Sequence, residues 1–207
     1  MGLSNAGRVE AMSLNPALMS SKLQNWGTDD DYFARLHAIC RFTTDACATE
    51  ENSKLAHFVP PNGDGKNYSW RDLRIFSNPE YKYCCDWVPK ARNEALEGPG
   101  MSASLVPYRP DPEWFSIGAL SEDGAAGRLR SSSYDNKNRV MWLRWDRLIT
   151  GIHSVPNRLA FKAPKEFKLK PGSKAAGNAP FPSAVIFHFN PATRPLVRRW
   201  LLERCPR

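Results

Sequence analysis

The sequence lacks a C-x-x-C pair, a G-x-G-x-x-G run and any apolar stretch long enough to span a bilayer, and each absence removes a class of protein. The five cysteines, Cys40, Cys47, Cys84, Cys85 and Cys205, are odd in number and without paired spacing, which argues against both a disulfide framework and a standard zinc site. A reducing cytoplasm is the expected home. Without the glycine fingerprint there is no support for a dinucleotide. No basic-then-apolar leader opens the chain, and no apolar run approaches the roughly 18 residues that a span needs, so neither a secretory signal nor a membrane partner is expected. Ala6 stands where a myristoylation signal after Gly2 would carry Ser or Thr. His37, His57, His153 and His188 show no metal-ligand spacing; they read as structural or surface residues, and no metal is expected. Acidic residues are also scarce, 21 against 29 Lys and Arg, and the resulting charge of +8 favours a polyanionic partner without choosing between DNA, RNA and an anionic surface.

The chain does have enough length, 207 residues, for one domain with a conventional core. Residues 1–22 are small and polar with little periodicity and read as a loose N-terminal arm, leaving 23–207 as the folded domain. "TDDDYFARLHAI" predicts a helix: Thr28 and Asp31 have capping-box spacing, and Phe33, Leu36 and Ile39 form an apolar stripe. "RFTTDACA" (41–48), "LRIFSN" (73–78) and "MSASLVPY" (101–108) read as strands. Between the last two, "DWVPKARNEALEG" has Asp86 ahead of its first turn, an early Pro89 and Gly98 as a stop, the pattern of a helix of about three turns. Strand, helix, strand predicts a parallel crossover in an α/β sheet. Beyond residue 120 the chain turns rich in Gly, Ser and charge, and residues 116–156 read as an insertion on the main sheet. "NRLAF" and "SAVIFHF" read as late strands. The segment 162–180 is a basic loop, and Leu196, Val197, Trp200 and Leu201 share a helical face opposite arginines.

In doubly wound sheets ligands bind at the carboxyl ends of the strands. Asp45 ends the first predicted strand and "NPEY", Asn78 to Tyr81, ends another, so both would face one crevice if those strands are neighbours. Asp45 is equally suited to an Asx-turn or a cap, and Asn-Pro is a common turn opener. Arg109 and Asp111 form either a pocket lining or a surface ion pair, and "NGDG" around Asp64 is also an ordinary turn. Trp26 can cover a ligand or fill the core. Cys84 and Cys85 read as small buried hydrophobes, since no paired His base accompanies them.

Taken in order, the segments resemble the phage-encoded Dam-type DNA adenine methyltransferases, whose motifs run W-x-T-P, F-T-L-D-V-A-A, D-G-L with a following W, N-P-P-Y, and L-x-P-A-R-x-D with W-F. This chain has Trp26 and Thr28 in "NWGTD", Phe42 and Asp45 in "FTTDACATEENSK", and Asp64, Gly65 and Trp70 in "DGKNYSW". It continues with Asn78, Pro79 and Tyr81 in "NPEY", and with Pro107, Arg109, Asp111, Trp114 and Phe115 in "LVPYRPDPEWF". "NRLAF" and "PSAVIF" resemble a later element. The resemblance implies a Rossmann-like class I fold with a mostly parallel sheet and S-adenosylmethionine as methyl donor, with DNA as partner and a bacterial host cell as setting. It implies that Trp26, Thr28, Asp45, Ala46 and Asp64 hold the cofactor, and that Asn78, Pro79 and Tyr81 grip an extruded adenine. Arg109, Asp111 and Trp114 would line the base pocket, and Arg128, Arg130, Asn136, Lys137 and Arg139 in 116–156 would contact the target sequence.

Two positions depart from the family pattern: Asp29 replaces the proline after Thr28, and Glu80 replaces the second proline of N-P-P-Y. A carboxylate aimed at a sulfonium stabilises the cationic ground state more than a transition state in which that charge fades, so Glu80 bears on turnover. A methyltransferase fold that binds DNA, cofactor or a protein without turnover is the alternative. A basic RNA-binding module with aromatic platforms would explain the charge but not the motif order.

Overall fold

The computed structural model describes residues 26–60, 64–115, 128–136, 139–156, 159–162, 176–178 and 181–190. The expected N-terminal arm, residues 163–175 and 179–180 of the expected 162–180 loop, the expected C-terminal helix and Lys137 lie outside them, whereas Lys162 and 176–178 of that expected loop are strand. Nine strands are described: β1 (Thr44–Asp45), β2 (Arg74–Ser77), β3 (Met101–Pro107), β4 (Leu129–Asp135), β5 (Val140–Trp145), β6 (Ile149–Ser154), β7 (Ala160–Lys162), β8 (Ala176–Asn178) and β9 (Ser183–Phe189). Two longer helices, α1 (Asp30–Cys40) and α2 (Cys84–Glu97), and a single turn, α3 (Glu113–Phe115), accompany them. No helix among the described residues is long and apolar enough to cross a membrane.

Seven strands form one mixed α/β sheet in the order β1-β2-β3-β9-β6-β5-β4, and β7 and β8 form a separate pair. The crossover β2–α2–β3 is parallel, with Ile75 opposite Ser102 and Phe76 opposite Ala103, as the strand–helix–strand pattern predicts. The expectation of a mostly parallel sheet needs correction. Only β1–β2 and β2–β3 are parallel, and the four remaining pairings are antiparallel. The reason is local: β4, β5 and β6 follow one another through connections too short for a parallel crossover, which requires a dozen or more residues. The described strands of 129–154 therefore continue the main sheet edge to edge.

Alternation along β3 and β9 divides the core. Ala103, Leu105, Val185 and Phe187 face α1, and Val106, Ala184 and Ile186 face α2. The apolar stripe of α1 is buried as expected, with Phe33 edge-on to Phe76 at a centroid distance of 5.0 Å. On the other side Trp87 of α2 stacks on Trp70 at 5.9 Å, beside Ile75 and Ala91. Each such side chain contributes roughly 1.5–3 kcal/mol by leaving water.

The caps differ from the sequence reading. Asp29, not Thr28, caps α1, its carboxylate accepting the Tyr32 N–H at 2.9 Å, so the residue that replaces the family proline starts the helix itself. Gly98 does end α2, but in extended conformation; a Cβ there would lie 2.8 Å from the Arg71 carbonyl oxygen, so close approach rather than backbone handedness demands glycine. Of the two adjacent cysteines, Cys84 is buried and Cys85 is exposed.

Candidate functional site

Pairing of Asp45 with Phe76 brings the carboxyl ends of β1 and β2 side by side, so the chains leaving them diverge around a common space. That space is an open crevice. The segment Trp26–Thr28 forms one wall, Asp45, Cys47, Ala48, Asn52 and Lys54 a second, and Phe76, Asn78 and Glu80 a third. The two groups that strand ends alone suggested, Asp45 and Asn78, therefore share one site.

Asp45 is 2% exposed. Its Oδ2 accepts the Lys54 N–H at 3.1 Å, and the Cys47 N–H also donates to the carboxylate. Desolvation outweighs these bonds and pushes the carboxyl pKa up to about 6. The Asx-type role and the crevice role thus coincide in one residue: the carboxylate folds the 47–54 loop back on itself while lining the opening.

Asn78 follows β2 directly. Its Nδ2 donates to the Trp26 carbonyl oxygen at 2.9 Å, which commits the NH₂ to the N-terminal wall and turns Oδ1 the other way. Glu80 lines the crevice too, its N–H donating to the Cys47 sulfur and its carboxylate lying 3.1 Å from Lys82 Nζ. Tyr81 opens the single turn Tyr81–Tyr83. Its half-buried ring is edge-on to Phe181 at 5.1 Å and to Phe161 at 6.4 Å, outside the crevice walls, and burial raises its phenol pKa.

The wall at 26–30 is held from outside. Gly27 and Lys162 exchange two backbone hydrogen bonds, of 2.9 and 2.8 Å. Asp30, two residues past the buried Thr28, takes ion pairs from both Lys54 and Lys162, and these bonds lower its pKa to about 2. Trp26 does both things the sequence allowed, being buried in the core cluster and facing the crevice.

Other expected site residues fall elsewhere. Ala46 is fully buried behind the crevice, its N–H bonded to the Phe76 carbonyl. Asp64 opens the short turn Asp64–Lys66, and its side chain lies outside the described residues. Arg109 and Asp111 are exposed beyond the carboxyl end of β3, and Trp114 packs edge-on against Phe115. Arg128 and Arg130 both engage Asp146, the first through its backbone N–H and the second through its guanidinium. They stand with Asn136 and Arg139 on the outer strand β4 and its turn, where every side chain from Arg130 to Tyr134 is exposed. Cys47, Asn52, Lys54 and Phe76 were not anticipated as walls. The signal was present for the first three, since all lie in the loop that follows Asp45 at a strand's carboxyl end. Cys47 is a wall and not a nucleophile, because burial lifts its thiol to about 12.

A family model described as DNA N-6-adenine-methyltransferase (Dam) matches residues 17–123, just over half the chain, and this span contains every wall of the crevice. A comparison with curated proteins found no match. With the crevice and its Asn-Pro-x-Tyr corner inside the matched span, the chain belongs to the DNA N-6-adenine-methyltransferase family.

Proposed function

We propose that the protein transfers a methyl group from S-adenosylmethionine to the exocyclic amine of an adenine extruded from DNA, at the crevice between β1 and β2. The observation that carries this reading is the meeting of Asp45 and Asn78 in one opening, with the Asn78 amide oriented by the Trp26 carbonyl. The wall chemistry suits such a cofactor: the carboxylates of Asp45 and Glu80 complement a cationic ligand, Thr28 and Asn52 offer hydrogen bonds, and Trp26 and Phe76 supply apolar faces beside the small Ala48. When bound, the cofactor supplies an electrophilic methyl group on a sulfonium. Asp45 would accept from its hydroxyls or amine, and Trp26, Thr28, Ala46 and Asp64 would complete its surroundings.

The chain's own task is to make a poor nucleophile adequate. The adenine amine has its lone pair delocalised into the ring, and two acceptors at its hydrogens draw the nitrogen toward tetrahedral geometry. Asn78 Oδ1 and the Pro79 carbonyl would be those acceptors. Both remain neutral as positive charge develops on the amine, and a preoriented dipole is worth more there than solvent water. Tyr81, braced by Phe161 and Phe181, would stack on the extruded base with its remaining exposed surface. Such stacking contributes roughly 1–3 kcal/mol and offsets much of the unpairing cost. Arg109, Asp111 and Trp114 would line the base pocket from the segment after β3, and Arg128, Arg130, Asn136, Lys137 and Arg139 would contact the duplex, since a two-stranded ribbon can enter a major groove.

A second reading is favoured by Glu80, whose carboxylate lines the crevice. In it the protein binds cofactor and DNA without turnover. Transfer of labelled methyl groups into DNA lacking adenine methylation separates the two. We expect incorporation by the wild type, loss of about 10²–10³-fold in Asn78→Ala, and faster transfer in Glu80→Pro. Binding of S-adenosylhomocysteine without incorporation in either the wild type or Glu80→Pro would overturn catalysis in favour of the second reading.

A further inference from the structure

Asp30 neither contacts Asn78 nor itself lines the crevice, and its side chain is 61% exposed, yet it closes the frame that holds the Asn78 amide. The frame starts at the 2.9 Å bond from Asn78 Nδ2 to the Trp26 carbonyl. That carbonyl stays in place only if the 26–30 segment does. Gly27 is fixed by its two backbone bonds to Lys162, and the same Lys162 reaches back with Nζ to Asp30, so the segment is fastened at both ends by one residue of β7. Lys54 adds a second arm: its N–H holds the Asp45 carboxylate at 3.1 Å, and its Nζ meets Asp30 Oδ1 at 2.5 Å. One exposed carboxylate thereby joins the amide corner and the carboxylate corner of the crevice through residues far apart in sequence.

We propose that Asp30 is a positioning residue that sets the orientation of the Asn78 carboxamide, an inference that rests on Asn78 being the acceptor for the substrate amine. Released from the Trp26 carbonyl, the carboxamide can turn over and present NH₂ where Oδ1 is needed, and a donor facing an amine's hydrogens cannot assist. Exposed ion pairs contribute little to global stability, so their loss should leave the fold intact, and its effect is to be read at the amide that the frame orients.

The test follows solvent exchange of the Asn78 side-chain NH₂ by ¹⁵N NMR in the full chain, its signals assigned by their disappearance in Asn78→Ala, alongside methyl-transfer kinetics. In Asp30→Asn we expect exchange about 10-fold faster than in the wild type, as for loss of one hydrogen bond. The melting temperature should be nearly unchanged. We expect kcat to fall at least about 10-fold with little change in KM for DNA, because orientation rather than binding is lost. Asp30→Glu should restore both. Unchanged exchange in Asp30→Asn, or a loss that Asp30→Glu does not reverse, would overturn the inference. If Asp30→Asn does not fold, Lys162→Met, which cuts one arm only, is read by the same exchange criterion. Full methyl transfer by Asn78→Ala would instead defeat the catalytic reading, and the exchange data would still decide whether Asp30 orients the amide.

Discussion

Asp45→Asn isolates the charge at the base of the crevice, and its effect can be worked out beforehand. Burial raises the carboxyl from 3.8 to about 6, so the folded protein holds a proton that the unfolded chain releases. A group with a raised folded pKa contributes stability that is complete below the unfolded value and is lost as pH rises through the folded one. Two pKa units at 1.36 kcal/mol each make the full effect about 3 kcal/mol. Asparagine keeps an acceptor oxygen for the Lys54 N–H and carries no charge. The stability of Asp45→Asn relative to wild type should therefore increase by up to about 3 kcal/mol between pH 4 and pH 7. Urea unfolding of both proteins at each pH measures the difference, and taking the difference removes other titrating groups common to both. The same carboxylate should favour a cationic ligand once ionised, so wild-type affinity for S-adenosylmethionine in calorimetry should climb from pH 5 to pH 7 and that of Asp45→Asn should stay level. A stability difference independent of pH would refute the burial argument. A wild-type affinity that ignores pH would refute contact between Asp45 and the cofactor's charge.

Two further outcomes test the edges of the site and the packing behind it. Replacing Arg128, Arg130 and Arg139 by Ala should flatten the salt dependence of DNA binding by up to about 0.9 in log–log slope for each phosphate no longer neutralised, with Arg130 giving least because Asp146 already holds it; an unchanged slope would remove β4 from the DNA surface. Gly100→Ala would set a Cβ 2.6 Å from the backbone carbonyls of Arg71 and Trp70, and thermal melting should show a loss of about 1–3 kcal/mol. Gly27→Ala, whose Cβ would meet nothing nearer than 3.5 Å, serves as the control and should melt close to wild type.

Local pattern was enough for most of the elements that surround the crevice, although the strand expected over 41–48 shrinks to the two residues Thr44–Asp45 before the chain turns. The stripe of Phe33, Leu36 and Ile39 placed α1, the apolar runs placed β2, β3 and β9, and an acid-led helix between two strands foretold the parallel crossover, because side-chain period and capping chemistry act over a few residues. The order of short motifs carried the family, and with it the roles proposed for Asn78, Pro79 and Tyr81. The capping residue of α1 was misread by one position because Thr28 and Asp29 are both competent caps, and only burial of Thr28 beside the crevice separates them. Sheet direction beyond β3 was not legible either, since an apolar run such as "SAVIFHF" looks the same whichever way its neighbours point.

What the sequence determined by itself is the set of chemical groups and the short elements that carry them: a carboxylate at one strand end, an amide and a proline carbonyl at another, and an excess of positive charge. Only the tertiary structure decided that those ends are adjacent, that Trp26 takes up the NH₂ of Asn78, and that Asp30 meets Lys162 from 132 positions away. The physical reason is range. Helix and strand signals come from neighbours along the chain, whereas strand pairing, desolvation of Asp45 and the Asp30 frame arise from groups that approach each other only after the sheet has closed.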